Sequence, residues 1–192
     1  SHDRAGAGAL GSDARVLARV HTLADGTALR LRPLLPTDGP ALRAAFERLS
    51  PQSRYFRFFT PVPHLTESML RRLTSTDGWN HVALVAEAIP MYDEPPEPLG
   101  IARFFRLKER ADAAEVAVTV IDEHQGRGLG RVLLGGLARL ARNRGIRRFV
   151  ASVLDENGPM KALIHRAGRI ASVQRDGAVV LYEIDLSPPR AG

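Results

Sequence analysis

The sequence predicts a mixed α/β domain: a largely antiparallel sheet flanked by helices. Three observations carry this. Alternating runs close around Asp-Gly turns near both ends of the chain, at Asp25-Gly26 and Asp176-Gly177, and such turns favour β-hairpins. Between them, helical spacing and strand-like runs follow one another in a mixed order. In the middle, a valine-rich strand enters a glycine-rich turn, and the turn opens an amphipathic helix.

Taken in order, Val16–Leu23 and Thr27–Leu34 form the first hairpin. Pro36-Thr37-Asp38 is a turn and cap, after which Leu42, Ala45, Phe46 and Leu49 recur at helical spacing. Ser50-Pro51 starts a second short helix carrying Tyr55, Phe56, Phe58 and Phe59, which read as core rather than a substrate wall, and Thr66–Leu73 is a third helix. Asp77-Gly78 turns into a strand at Val82–Ala88. Ile89–Pro98 (IPMYDEPPEP) is an acidic, proline-rich loop expected to project from the surface. Strands at Leu99–Leu107 and Ala113–Ile121 flank a turn at Arg110–Asp112. Gly128–Arg144 is the clearest helix: Leu129, Leu133, Leu137 and Leu140 line one face and Gly145 stops it. A strand at Phe149–Leu154, a helix at Asn157–Arg166 ended by Gly168, and a hairpin of Ala171–Gln174 with Ala178–Leu186 complete the order.

At 192 residues the chain suits one domain. Residues 1–14 read as a flexible tag or linker, 15–186 as the domain and 187–192 as a flexible tail. The Ser-His start and these small-residue ends read as a piece excised from a longer protein. With 0 Cys, a disulfide framework, a thiolate nucleophile, a Cys-based zinc site and an iron–sulfur cluster are excluded. The scattered His21, His64, His81, His124 and His165 lack metal-ligand spacing, so no metal is assigned. No stretch approaches the roughly 18 apolar residues of a membrane span, and the N-terminus lacks the apolar core of a signal peptide. A cytoplasmic location and no membrane partner are expected. There are 27 Lys+Arg against 21 Asp+Glu, a net charge of +6, and Lys108 and Lys161 are the only lysines. A basic surface attracts phosphate-bearing ligands or an acidic protein face. Without interleaved aromatics or a known motif, nucleic acid is not expected.

The chemistry concentrates where Ala114–Asp122 runs into Gln125-Gly-Arg-Gly-Leu-Gly130. Gly126, Gly128 and Gly130 let backbone approach a ligand and aim free amides at it. With the positive end of the helix dipole, those amides suit phosphate oxygens, and Arg127 and Arg131 add charge. A P-loop is excluded because no Lys follows, and the spacing is not that of a dinucleotide fold. A plain glycine turn is the structural alternative.

Gln125, Gly128 and Gly130 fill the pattern Gln/Arg-x-x-Gly-x-Gly/Ala. Asn157-Gly-Pro-Met160 with Leu163 opens the helix after the next strand, as in Asn-x-x-Met/Ala-x-x-Leu. In both, and over about Thr27 to Leu186, the chain resembles the GNAT N-acetyltransferases. That resemblance implies a twisted, mostly antiparallel mixed sheet that holds acetyl-CoA in the splay between its central strands, with the pyrophosphate on Gln125–Arg131, Leu129 included. It also implies that backbone groups of Val118 and Val120 pair with the pantetheine arm. Asn157 is a ligand of that arm or of the thioester region, a helix N-cap, or both, and Met160 a cofactor contact or core.

Asp25-Gly-Thr-Ala-Leu-Arg-Leu-Arg-Pro33 and Leu49-Ser-Pro-Gln-Ser-Arg-Tyr-Phe-Arg-Phe-Phe59 resemble the Pat-type bacterial protein lysine acetyltransferases, whose targets include AMP-forming acyl-CoA synthetases. The resemblance implies a protein partner presenting a lysine, here on an acidic surface, and a catalytic glutamate at Glu115. Transfer to an amine needs the amine neutral, so a general base belongs near the thioester. Glu115 shares a strand face with Ala117 and Thr119 and is expected to be partly desolvated; an edge carboxylate satisfied by an arginine is the alternative. Glu87 is the second candidate base, while Asp122 and Glu123 lie too near the phosphate end. A small-amine acceptor, or acyl-CoA sensing without catalysis, stays open.

Overall fold

The computed structural model describes residues 11–187. Eight strands form one open sheet: β1 (Val20–Thr22), β2 (Ala28–Pro33), β3 (His81–Ala88), β4 (Glu97–Arg106), β5 (Ala113–Val120), β6 (Arg148–Leu154), β7 (Arg169–Asp176) and β8 (Val179–Asp185). Their spatial order is β1-β2-β3-β4-β5-β6-β8-β7. Every neighbouring pair is antiparallel except β5–β6, which is parallel. The helices are α1 (residues 11–18), α2 (Gly39–Glu47), α3 (Pro51–Phe58), α4 (Glu67–Thr74), α5 (Leu129–Asn143) and α6 (Gly158–Ala167).

Residues 11–14, expected as linker, are helical. Asp13, 8% exposed, accepts two bonds from Arg144, at 3.1 and 2.6 Å. A pair so buried must be satisfied on both sides, and that contact, made across 131 positions of sequence, is invisible to local patterning. The expected tail from residue 188 onward, and residues 1–10 of the linker, lie outside the described residues. The proline-rich loop projects as expected, with Met91 91% and Tyr92 77% exposed, although its last two residues already belong to β4.

The sheet separates two cores. On one side the leucine face of α5 meets Leu31, Leu84, Ala102, Phe104 and Val116. On the other, Phe46, Leu49, Leu65 and Leu70 from the α2–α4 region cluster together, with Phe58 packed against them. Phe59, by contrast, ends α3 with φ 61° and is 37% exposed. Local rules explain the starts of these helices. Ser50 caps α3 by accepting from the Ser53 amide at 3.1 Å, with Pro51 following it. The Ser50 amide also donates to Asp122 at 2.9 Å, which ties α3 to the end of β5.

Gly135 and Gly136 separate helix propensity from packing. A Cβ on exposed Gly135 meets nothing within 4 Å, whereas one on Gly136 would lie 2.5 Å from Leu31 Cδ1. Leu31 is 1% exposed and cannot swing away. Replacing an interior helical glycine by alanine gains about 0.5–1 kcal/mol, and overpacking a tight core costs roughly 1–3 kcal/mol. Chemical denaturation is therefore expected to show Gly135→Ala stabilised and Gly136→Ala destabilised. Equal midpoints would mean that α5 lies farther from β2 than this packing requires.

Candidate active site

The sheet opens at its one parallel seam. β5 and β6 are paired only at Ala113↔Arg148, Ala114↔Phe149 and Glu115↔Val150. Beyond that point β5 continues to Val120 and β6 to Leu154 without pairing, so the two strands splay apart. The Ile121 amide donates to the Leu99 carbonyl on β4. Backbone groups alternate between the two edges of a strand, so those of Thr119 and Ala117 also turn to β4. The groups of Val118 and Val120 face the splay. The Val120 carbonyl is held there by Gln125 Nε2 at 2.9 Å. An extended chain of amides can add to this edge as a further strand would.

At the wide end of the splay, Gly126 and Gly128 adopt φ of 74° and 93°, a region that favours glycine. Among the described residues, none of the six successive amides from Gly126 to Arg131 donates to a protein acceptor. Alternating left- and right-handed backbone at a helix N-terminus makes a concave anion site. This unpartnered cradle fits a pyrophosphate. Exposed Arg131 makes no hydrogen bond or ion pair among the described residues and stands beside the cradle. Leu129 offers only its amide, since its side chain is buried in the core. Gly130 has a second role: a Cβ there would lie 3.0 Å from Leu163 Cδ2, so its smallness lets α5 close on α6.

Arg127, expected to bring charge to the phosphates, is turned elsewhere. Its Nε donates to Asp25 at 2.6 Å and its Nη2 to Thr27 Oγ1 at 2.7 Å, and it also contacts His124. The guanidinium tethers the glycine loop to the first hairpin, a contact across 102 positions with no sequence signal. The Thr27 amide, then its hydroxyl and Arg127, hold the Asp25 carboxyl down at about 2. Gln125 likewise reaches inward, to Ser53 at 3.2 Å as well as to Val120.

Asn157 caps α6, accepting from the Met160 amide at 3.2 Å. Met160 is partly buried against the main core. Both residues sit at the head of the helix that follows β6.

Glu115 lies at the vertex of the splay, five positions from Val120, or about 17 Å along the strand. Its side chain points to the α3–α4 face, opposite Phe105 in register, and it is exposed rather than partly desolvated. Glu87 does not share this place. It pairs with Pro98 on β4 and is six positions along β3 from His81, the partner of Phe105, so roughly 20 Å away. Its carboxylate accepts from Arg32 Nε at 2.6 Å. Register therefore removes Glu87 as a second base, since it stands at the phosphate end.

The surroundings of Glu115 were not legible in the sequence. Arg103, 3% exposed, donates from Nη1 to the Leu73 carbonyl at 2.7 Å and lies 3.0 Å from His81 Nε2. Burial lowers Arg103 to about 9, leaving it protonated at neutral pH. Burial also lowers Arg57, with nearby Glu115 raising it and Arg72 lowering it. Arg57 and Arg103 line one end of a cavity of about 80 Å³ between the sheet and α2–α4, whose walls include Leu34, Phe46, Ile101 and Thr119.

Comparison with known proteins places this arrangement. Over 159 residues the chain is 36% identical to acetyltransferase Pat of Mycolicibacterium smegmatis, covering 82% of this chain and 46% of that protein. It thus spans under half of that relative's length. It is 32% identical over 157 residues to an acetyltransferase of Pseudomonas aeruginosa, covering 82% of each. The crystal structure of the GNAT domain of S. lividans PAT superposes with a TM-score of 0.77 at 36% identity, covering 87% of this chain and 96% of that one. The model of the acetyltransferase (GNAT) family matches residues 50–168. That stretch runs from the cap of α3 through β5 and the glycine loop to the end of α6, so the match and the splay coincide, and the chain belongs to the GNAT acetyltransferase family.

Proposed function

We propose that this domain transfers the acetyl group of acetyl-CoA to the Nε of a lysine on a protein, with Glu115 as general base. The observation that carries this reading is the alignment of three features along β5: the amide cradle at Gly126–Arg131, the unpaired edge at Val118 and Val120, and Glu115 at the vertex. A phosphate group on the cradle and an arm along the strand direct a thioester toward Glu115. The substrate supplies the activated acyl carbonyl. The lysine nitrogen bonds to the carbonyl carbon, the carbon–sulfur bond breaks, and coenzyme A leaves as its thiolate. The chain's part is to hold the donor in the splay and to take the amine's proton on Glu115, directly or through a water. A thiolate is a good leaving group, so no dedicated acid is required.

A protein acceptor is supported by the relatives named Pat and by the exposure of Glu115 on an accessible face. AMP-forming acyl-CoA synthetases are the proposed targets. The test is incubation with acetyl-CoA and a purified synthetase, followed by mass spectrometry of acetyl-lysines and an assay of synthetase activity. Acetylation confined to one lysine, with loss of synthetase activity, is the expected result. Turnover on small amines alone, with the protein untouched, would assign the domain to the small-molecule acetyltransferases. Binding of acetyl-CoA with no transfer to any amine would make it a sensor.

A further inference from the structure

Arginines crowd the surface in front of Glu115 without a matching set of carboxylates. From α4, Arg72 lies over the Phe105 ring, 5.2 Å from its centroid. On the neighbouring strand, His81 stacks on the same ring with centroids 4.0 Å apart. Phe105 is the β4 residue opposite Glu115. Beneath them is buried Arg103, bound to His81 and a backbone carbonyl. Arg57, from α3, faces the same cavity as Arg103 and lies 4.8 Å over Phe58. Neither the Arg57 nor the Arg72 guanidinium makes a hydrogen bond or ion pair among the described residues. The carboxylates nearby are Glu115 and Asp77, and Asp77 is occupied by the amides of Trp79, Asn80 and His81 at 2.7–2.9 Å.

Three guanidinium groups sharing one free carboxylate is an unbalanced arrangement, because clustered like charges repel and a half-buried cation needs an anion. The group that best completes it is a carboxylate, which a guanidinium fork binds in two parallel hydrogen bonds. Aromatic faces at Phe105 and Phe58 hold Arg72 and Arg57 in place beforehand. We infer that the acceptor carries a carboxylate close to its reactive amine, and that this carboxylate docks on Arg57 and Arg72 beside Glu115. The inference rests on the protein-acceptor reading for its source: an Asp or Glu neighbouring the target lysine. Such a contact aligns the lysine with the thioester and with Glu115.

The experiment compares two peptides, identical except for Glu or Gln beside a single lysine. The parent is expected to favour the Glu peptide through KM by roughly tenfold, with kcat little altered. Arg57→Gln should erase that preference, and Arg57→Glu should reverse it toward a peptide bearing Arg at the same place. A parent that treats both peptides alike overturns the inference, and this comparison needs no variant to fold. Arg57→Gln with the preference intact also overturns it. So does a fall in kcat with a shifted pH profile and unchanged KM, which would assign the arginines to the amine's proton instead. Nα-acetyl-lysine against Nα-acetyl-lysine amide separates the two readings. If no peptide is acetylated while the free carboxylate is preferred, the arginine site stands and the protein acceptor fails.

Discussion

Glu115→Gln is expected to turn over about 10²–10⁴-fold more slowly than the parent at neutral pH, while acetyl-CoA binds with unchanged affinity. A solvated lysine has a pKa near 10.4, so only about one molecule in 2,500 is the free amine at pH 7. In the proposed mechanism a carboxylate at the vertex of the splay removes the proton as the amine approaches, and glutamine keeps the shape without the base. The loss corresponds to roughly 3–5 kcal/mol of transition-state stabilisation. Because Glu115 is exposed and makes no hydrogen bond or ion pair among the described residues, the substitution removes no packing, and thermal unfolding should match the parent. Turnover within a few-fold of the parent would refute Glu115 as base. Glu87 could not then replace it, because Arg32 holds it at the far end of the sheet face. The proton would have to go to solvent or to a group on the partner.

Gly128→Val should weaken acetyl-CoA binding roughly 100-fold or more. At φ 93° the residue stands where a β-branched side chain is strained, by about 1–2 kcal/mol. Strain of that size is relieved by turning the backbone, and turning it swings the neighbouring amides out of the cradle. Each hydrogen bond from an amide to a charged group is worth about 1.5–3 kcal/mol, so losing two accounts for the expected change. Calorimetric titration with coenzyme A measures it, with Gly135→Ala as the control because it alters the same helix away from the loop. Open space near Gly128, where Leu23 at 3.8 Å is the nearest neighbour of an added Cβ, means the fold should survive. Unchanged affinity would move the phosphate site away from Gly126–Arg131.

The glycine loop, the helix after it and the strand before it were readable because each is a local pattern. Period two at Val116, Val118 and Val120 marks one face of a strand, and leucines three and four apart mark one face of a helix. Asp-Gly marked both hairpins because few other pairs tolerate that turn. The family signature was legible for the same reason, since its residues are contiguous. Where reading failed, a long-range partner had intervened. Residues 11–14 read as linker but are helical, anchored through the Asp13–Arg144 pair. Arg127 looked like a phosphate ligand from its place in the loop, yet Asp25 and Thr27 hold it. Nothing in the residues around 127 announces a hairpin turn as its neighbour.

By itself the sequence determined the order of elements after the first hairpin, the family resemblance, and the glycine-rich turn between a strand and an amphipathic helix, since all of these depend on side chains within a few positions of one another, whereas α1 went unread. Only the tertiary structure decided that β5 and β6 part after Glu115, that Glu87 belongs to the phosphate end, and that Arg57, Arg72, His81 and Arg103 gather in front of Glu115. Those facts depend on strand register and on the packing of α3 and α4 over the sheet. A shift of one residue in register would send Glu115 to the opposite face and scatter the arginines, and that register is set by the buried faces on both sides of the sheet together.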